Sequence, residues 1–355
     1  METLEKNISV QRIAQSKLSS VDMNNIPFGK VFSDHMLVAK YKDGAWQRPE
    51  IIPYGKLELA PSLTALNYGQ SVFEGMKATR NVKGEAVLFR PEENWKRMNR
   101  SAHRLCMPEI PRDIFIDGLE ELIKLDNGWI PTADQGSLYL RPLYFGSDEF
   151  IGVHPSSEYI FTVFTCPVGP FYAKPVDLLV SKDHVRAVAG GTGAAKAAGN
   201  YAGALYPDKL AKAQGYNNVL WLDAKELKYV EECGTMNMFF VVDDTVLTPQ
   251  LSGTILEGIT RASVIQLLKD HNYKLEIRPI SIYEIQAAHH EGRLQESFGV
   301  GTAAVISHIA RIGFGGEDMI LPPISERKVG NWLKSHMAAI KAGEAEDTHG
   351  WMHVI

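Results

Sequence analysis

One lysine stands alone in a run of small side chains. From Gly190 to Gly199 the chain reads GGTGAAKAAG, and nine of these ten residues are Gly, Ala or Thr. The tenth is Lys196. A primary amine in such company can anchor a flat ligand, covalently or ionically, because the small neighbours leave room for it against the backbone. A lone lysine more often turns to water, so partners for it must be found elsewhere in the chain.

Competing motifs fail on residue identity. A P-loop needs Gly before its Lys and Ser or Thr after it, whereas Lys196 lies between Ala195 and Ala197. Gly299-x-Gly301-x-x-Ala304 mimics a dinucleotide fingerprint, but that fingerprint opens a helix inside a strand–helix–strand unit. Here VISHIARI follows, which alternates like a strand, so a nicotinamide-dependent dehydrogenase is a remote alternative. There is no GxSxG elbow. His289-His290-Glu291 is the only local histidine group. Adjacent helix positions point apart, so it reads as a solvated helix end and no metal site is expected.

Pyridoxal phosphate forms a Schiff base with a lysine amine. A free lysine has a pKa of ~10.4, and a reactive one must sit lower, which burial and conjugation to the cofactor achieve. The ring nitrogen needs a carboxylate. KYVEECGTMNMFFVV offers Glu231 and Glu232, which alternation puts on opposite faces of a strand, one toward a cleft and one toward solvent. The phosphate needs helix-start amides. Gly258 precedes a helix with Ile259, Ala262, Ile265 and Leu268 on its apolar face, and Gly299, Gly301 and Thr302 make a second donor-rich turn. Tyr201, five residues after Lys196, offers a phenol for the ring hydroxyl.

These residues need a frame. PEENWKRMNRSAHRL, from Pro91 to Leu105, reads as a helix with Pro in its first turn and Glu92 and Glu93 at its positive end. Arg112 to Ile130 reads as another, as do Tyr201 to Gln214, Ile259 to Asp270 and Glu326 to Ala342. SLYLRPLYFG, EYIFTVFT, VDLLVS, NNVLWLD, KYVEE and MFFVVDD read as strands. CPVGPFYAKP, Cys166 to Pro175, should stop regular structure and link two mixed α/β domains with a cleft between them.

Composition agrees. The 355 residues suggest two domains. A net charge of −5 without a basic block argues against nucleic acid. METLEKNISVQR has no apolar core for a signal peptide, no run approaches membrane-helix length, and the three cysteines form no CxxC. A cytoplasmic protein is expected.

At motif level the chain resembles the branched-chain-amino-acid aminotransferases, pyridoxal-phosphate enzymes of fold type IV. Glu232, Asn237, Met238, Phe239, Thr248, Leu256, Gly258, Ile259 and Arg261 meet the class pattern. FEGMKA, LFRPEENWKRM, SLYLRP, CPVG, KAAGNYA and CGTMN favour this branch over D-amino-acid aminotransferases and aminodeoxychorismate lyases. The resemblance implies a mixed α/β (α+β) architecture: a smaller N-terminal domain over 1–170, a linker over 171–180, and a larger pseudo-barrel domain over 181–355 that binds the cofactor.

The resemblance also implies roles. Lys196 carries pyridoxal 5'-phosphate and is catalytic. Glu232 meets the pyridine nitrogen, and Tyr201 the ring oxygen. Arg97, Ile259, Thr260 and Thr302 hold the phosphate. Thr235 and the amide of Ala303 take the substrate carboxylate. Phe28, Tyr68, Phe73, Tyr139 and Arg141 line the side-chain pocket, joined by Val153 from the other subunit of a homodimer. The implied reaction moves the amino group of leucine, isoleucine or valine to 2-oxoglutarate. Mammalian relatives have Tyr where Phe171 stands and a CxxC pair where Ala304 and Ser307 stand, so thiol regulation of that kind is not expected.

Overall fold

The computed structural model describes residues 7–27, 29–169, 174–302 and 305–355; Phe28, Phe171, Ala303 and Ala304 lie outside them. Main-chain packing divides the chain into two units. The first holds the described residues up to 169 with Ala195–Gly199 and Ala339–Ile355; the second holds 174–194 and Asn200–Ala338.

Among the described residues of the first unit, ten strands make one sheet. Its central strands, Ser137–Gly146 and Tyr159–Val168, pair antiparallel along their whole length. SLYLRPLYFG shows why this segment is a strand. Leu138, Leu140 and Tyr144 are fully buried in the core, while Tyr139, Arg141 and Leu143 share the opposite, half-buried face. Met98 and Ala102 of the Pro91–Arg104 helix and Phe115, Leu119 and Leu122 join that core, each large side chain contributing about 1.5–3 kcal/mol. Arg112 to Ile130 is less regular than its apolar spacing suggests: a wide turn at Asp113–Asp117 precedes the helix Gly118–Leu125 and a short turn at Asn127–Trp129.

Regular structure does not stop at Cys166. The strand runs on through Pro167 to Val168. Its neighbour His35–Lys42 pairs with it only as far as Phe164, so Pro167 stands where one side of the strand is open and a proline is tolerated. The tail strand Met352–Val354 pairs antiparallel with Ala86–Phe89 in this first sheet.

The second unit contains a closed ring of strands. Val176–Val180, Asn218–Leu222, Val230–Cys233, Met236–Val242, Leu294–Gly301 and Val305–Phe314 each pair with the next, and the last pairs with the first. This is the pseudo-barrel. Leu178, Leu220, Phe240, Ile309 and Ile312 fill its core, and the helix Ile282–His290 packs Ile282, Ile285 and Ala288 against it. The helix Ala198–Ala213 covers Val219 and Trp221 through Ala211.

Candidate active site

In the first unit the Lys196 segment is pinned from both sides. The Lys196 N–H donates to Ser101 Oγ at 2.9 Å. The Lys196 carbonyl accepts from the Phe73 N–H at 3.1 Å. Val72 and Ala197 form an antiparallel bridge. The amine lies 4.9 Å from the centre of the Phe73 ring. Arg141 reaches the same ring, its guanidinium carbon 4.7 Å from the centre, and donates to Tyr139 Oη at 2.9 Å. The Arg141 Nε is buried with no partner among the described residues. Lys196, Phe73, Tyr139 and Arg141 are therefore brought together.

Arg97 joins them through Glu74, a residue no motif above had assigned. Arg97 donates to Glu74 through Nε at 2.7 Å and Nη2 at 2.8 Å, and Asn94 donates at 2.8 Å. Glu74 is 0% exposed. Burial pushes its carboxyl up, but Arg97, with help from Lys196 and Asn94, outweighs this and holds it below the ordinary glutamate range. The readable signal was an acid in the mostly apolar stretch SVFEGM, between the strands Ser71–Phe73 and Met76–Arg80.

In the second unit the motif residues meet around one peptide. Glu232 and Asn237 face each other across a hairpin. Glu232 accepts from the Leu256 N–H at 2.7 Å, and Asn237 donates to the Leu256 carbonyl at 2.9 Å. Any Cβ at Gly258 would overlap Asn237 Oδ1. Gly258 then starts the helix Ile259–Asp270, which has no side-chain cap and no acid in its first turn. Thr248 Oγ1 donates to the Met238 carbonyl, and Arg261 to the Pro249 carbonyl, at 2.9 and 2.8 Å. The class pattern is thus a folding pattern as well as a chemical one.

Neither acid of the pair is solvated. Glu232 lies 3.3 Å from Arg186 Nε. Glu231 is equally buried, takes the Thr254 hydroxyl, and leaves its second oxygen without a partner among the described residues. Burial pushes its carboxyl up, against Thr254 and Arg186. The expected solvent face is covered by the segment bearing Thr254, which alternation could not foresee. Arg186 also donates to the carbonyls of Gly193 and Thr254. A Cβ at Gly193 would overlap the Thr254 carbonyl, so part of the small-residue run is small for packing.

Tyr201 is in the first turn of Ala198–Ala213. Thr235 is exposed at the hairpin turn, and its carbonyl faces Gly301, just before Thr302. Tyr68 ends a short exposed helix, and Val153 is 90% exposed. Phe28 and Ala303 fall outside the described residues. His289, His290 and Glu317 place ligand-type atoms within 4.8 Å of one another, closer than adjacent helix positions suggested, because His290 turns to Glu317 at 2.6 Å. A cavity of ≈ 480 Å³ lined by Lys182, His184, Leu210, Tyr216 and Phe314 contains none of the motif residues.

The lysine fixed through its main chain in the first unit, and in the second unit the buried carboxylate paired with arginine and the uncapped helix start, are each groups of the kind that suit a covalently held, phosphorylated, nitrogenous ring. The amino-transferase class IV family matches residues 71–312, a span that includes all three. The chain belongs to this family, and its mixed α+β fold is that of fold type IV.

Within the family it belongs with the branched-chain-amino-acid aminotransferases. It is 42% identical over 343 residues to branched-chain-amino-acid aminotransferase 2 of Bacillus subtilis (strain 168), covering 96% of this chain and 94% of that protein. The branched-chain aminotransferase of Thermoproteus uzoniensis with norvaline superposes with a TM-score of 0.75 at 25% identity, covering 90% of this chain and 99% of the other. The branched-chain amino acid aminotransferase of Escherichia coli gives 0.72 at 27%, covering 90% and 98%. The protein is an aminotransferase.

Proposed function

We propose that this enzyme moves the amino group of L-leucine, L-isoleucine or L-valine to 2-oxoglutarate, reversibly, with pyridoxal 5'-phosphate attached at Lys196. The products are the branched-chain 2-oxo acids and L-glutamate. The observation that carries the reading is the setting of Lys196: main chain held by Ser101 and Phe73, amine over an aromatic ring. When bound, the cofactor supplies the electron sink for bonds broken at the substrate α-carbon.

The chain's own residues do the rest. The Lys196 amine would serve as the general base and acid that takes the proton from the substrate α-carbon and returns it. Glu232, oriented by Arg186 and the Leu256 amide, faces the ring nitrogen, and Tyr201 the ring oxygen. Arg97, the amides of Ile259 and Thr260, and Thr302 hold the phosphate. The uncapped start of the Ile259 helix supports this, because its amides attract an anion. The second unit, with this helix and Glu232, acts as the cofactor domain; the stretch 171–180 expected as a linker takes in its ring strand Val176–Val180.

Thr235 and the Ala303 amide receive the substrate carboxylate. Phe28, Tyr68, Phe73 and Tyr139 bury the branched side chain. Arg141, whose buried Nε lacks a partner among the described residues, receives the distal carboxylate of glutamate, which an apolar pocket would leave unpaired. Val153 serves a partner subunit in a homodimer. The run Phe150, Ile151 and Val153, 52%, 65% and 90% exposed, is the kind of apolar surface a second copy covers. No described helix is long and apolar enough to cross a membrane, and the cysteines are free. A reducing cytoplasm suits both.

The purified protein should be yellow, borohydride should fix the cofactor on Lys196, and a panel of amino donors with 2-oxoglutarate should show turnover with L-leucine, L-isoleucine and L-valine. Lys196→Ala should abolish steady-state turnover. A protein that stays colourless with added pyridoxal phosphate, or that consumes only D-enantiomers, would overturn the reading.

A further inference from the structure

Glu74 is the member of the Lys196 setting that the roles above leave unexplained. We propose that Glu74 is a positioning residue for both cations there: it fixes the fork of Arg97, and its negative charge favours the protonated form of the nitrogen that Lys196 contributes. The proposal rests on Lys196 carrying the cofactor.

A buried acid is costly unless it is paired and fully bonded, and apolar replacements often serve stability as well. Glu74 takes both guanidinium contacts from Arg97 and a third donor from Asn94. A fourth is the Gly75 N–H at 3.3 Å. The helix that supplies them is unusual on its inner face. Its buried stripe, Pro91, Asn94, Arg97, Met98, Ser101 and Ala102, follows helical spacing, yet three of the six residues are polar. A stripe meant only for packing would be apolar.

The bonds close into a circuit. The Lys196 N–H reaches Ser101 Oγ, and Ser101 donates to the Arg97 carbonyl at 2.9 Å. Arg97 holds Glu74, and the adjacent Phe73 N–H returns to the Lys196 carbonyl. Lys196 is thereby locked to the element that carries Glu74.

The charges facing this circuit are mostly positive. Arg97 comes from the helix, Arg141 from across Phe73, and Lys77 stands opposite Tyr139 on the neighbouring strand. Glu74 is the counter-charge at the centre, next in the chain to Phe73, whose ring centre lies 4.9 Å from the Lys196 amine, and each charge acts on the other. Without it, a second proton-bearing nitrogen beside Arg97 would be disfavoured.

The test is a pH titration of the visible chromophore of the loaded enzyme, together with the rate of cofactor release on dialysis. In Glu74→Gln the chromophore midpoint should fall by about one unit or more, the size expected for losing a nearby opposite charge, and release should quicken. Glu74→Asp keeps the charge but is too short to span both guanidinium nitrogens. Its midpoint should stay near wild type while release still quickens. A Gln variant with the wild-type midpoint overturns the electrostatic role. An Asp variant that holds cofactor as firmly as wild type overturns the positioning role, and decides it alone should the Gln variant not fold. A wild-type protein without a chromophore overturns the Lys196 reading itself, and the proposal with it.

Discussion

At the residue scale, the role proposed for Arg141 beside Phe73 has one side chain serve two substrates. The guanidinium lies over the Phe73 ring and donates to Tyr139, so it keeps its charge while adding to an aromatic wall. Branched side chains would meet the wall, and glutamate's distal carboxylate the spare Nε. Arg141→Met should therefore leave L-leucine binding nearly unchanged and lower kcat/KM for glutamate by about 10- to 100-fold, the worth of a charge-assisted hydrogen bond. Steady-state kinetics with both donors checks this; equal losses for both would remove the assigned role.

At the element scale, the second unit depends on two contacts that are far apart in sequence. The clasp of Glu232 and Asn237 on Leu256 sets where the Ile259 helix begins, and Gly258 leaves room for it. Gly258→Ala should push Asn237 off the Leu256 carbonyl and cost about 1–3 kcal/mol. Thermal unfolding should show a lower Tm, and cofactor binding should weaken in parallel.

The other contact concerns His308, buried on the strand Val305–Phe314. Burial, then the charges of Arg327 and Lys334, push its pKa down to about 4. The unfolded chain, with histidine near 6.5, binds the proton more readily between these values. Stability from this group is thus complete above about pH 6.5 and is lost as the pH falls toward 4. Tm measured over that window should drop more steeply in wild type than in His308→Gln.

At the scale of the whole molecule, the loop bearing Phe150, Ile151 and Val153 is the feature that an isolated subunit leaves unexplained. Three apolar side chains so exposed in so short a segment are costly in water. In the proposed homodimer this loop lies at the interface, so Ile151→Glu with Val153→Glu should give monomers in light scattering after size exclusion where wild type gives dimers. Activity should fall with dimer content, because Val153 is assigned to the neighbour's pocket. A double variant that remains dimeric and fully active would remove this face from the interface.

Much of the site was legible from residue types and spacing. Lys196 stood out because nothing around it could shield an amine, and the Ile259 helix start because Gly258 precedes a clear apolar period. SLYLRPLYFG was legible as a strand to the residue, Ser137–Gly146, whereas Tyr139 and Arg141 came from the resemblance. The partners of Glu74 and Arg186 were not legible, since they lie 23 and 46 positions away. The expectation that one of Glu231 and Glu232 faces solvent fails for the same reason: both are buried, and Glu231 is closed off by a segment more than twenty residues downstream.

The sequence by itself determined which groups were available: the amine, the acids, the aromatic strand residues and the helix start. These follow from local periodicity and side-chain chemistry. Only the tertiary structure decided which charge answers which. Ion pairs such as Arg97 with Glu74, and chain returns such as Met352–Val354 to the first sheet, arise from burial across long sequence separations, where removal from water makes an unpaired charge or an unpaired backbone group too costly to leave.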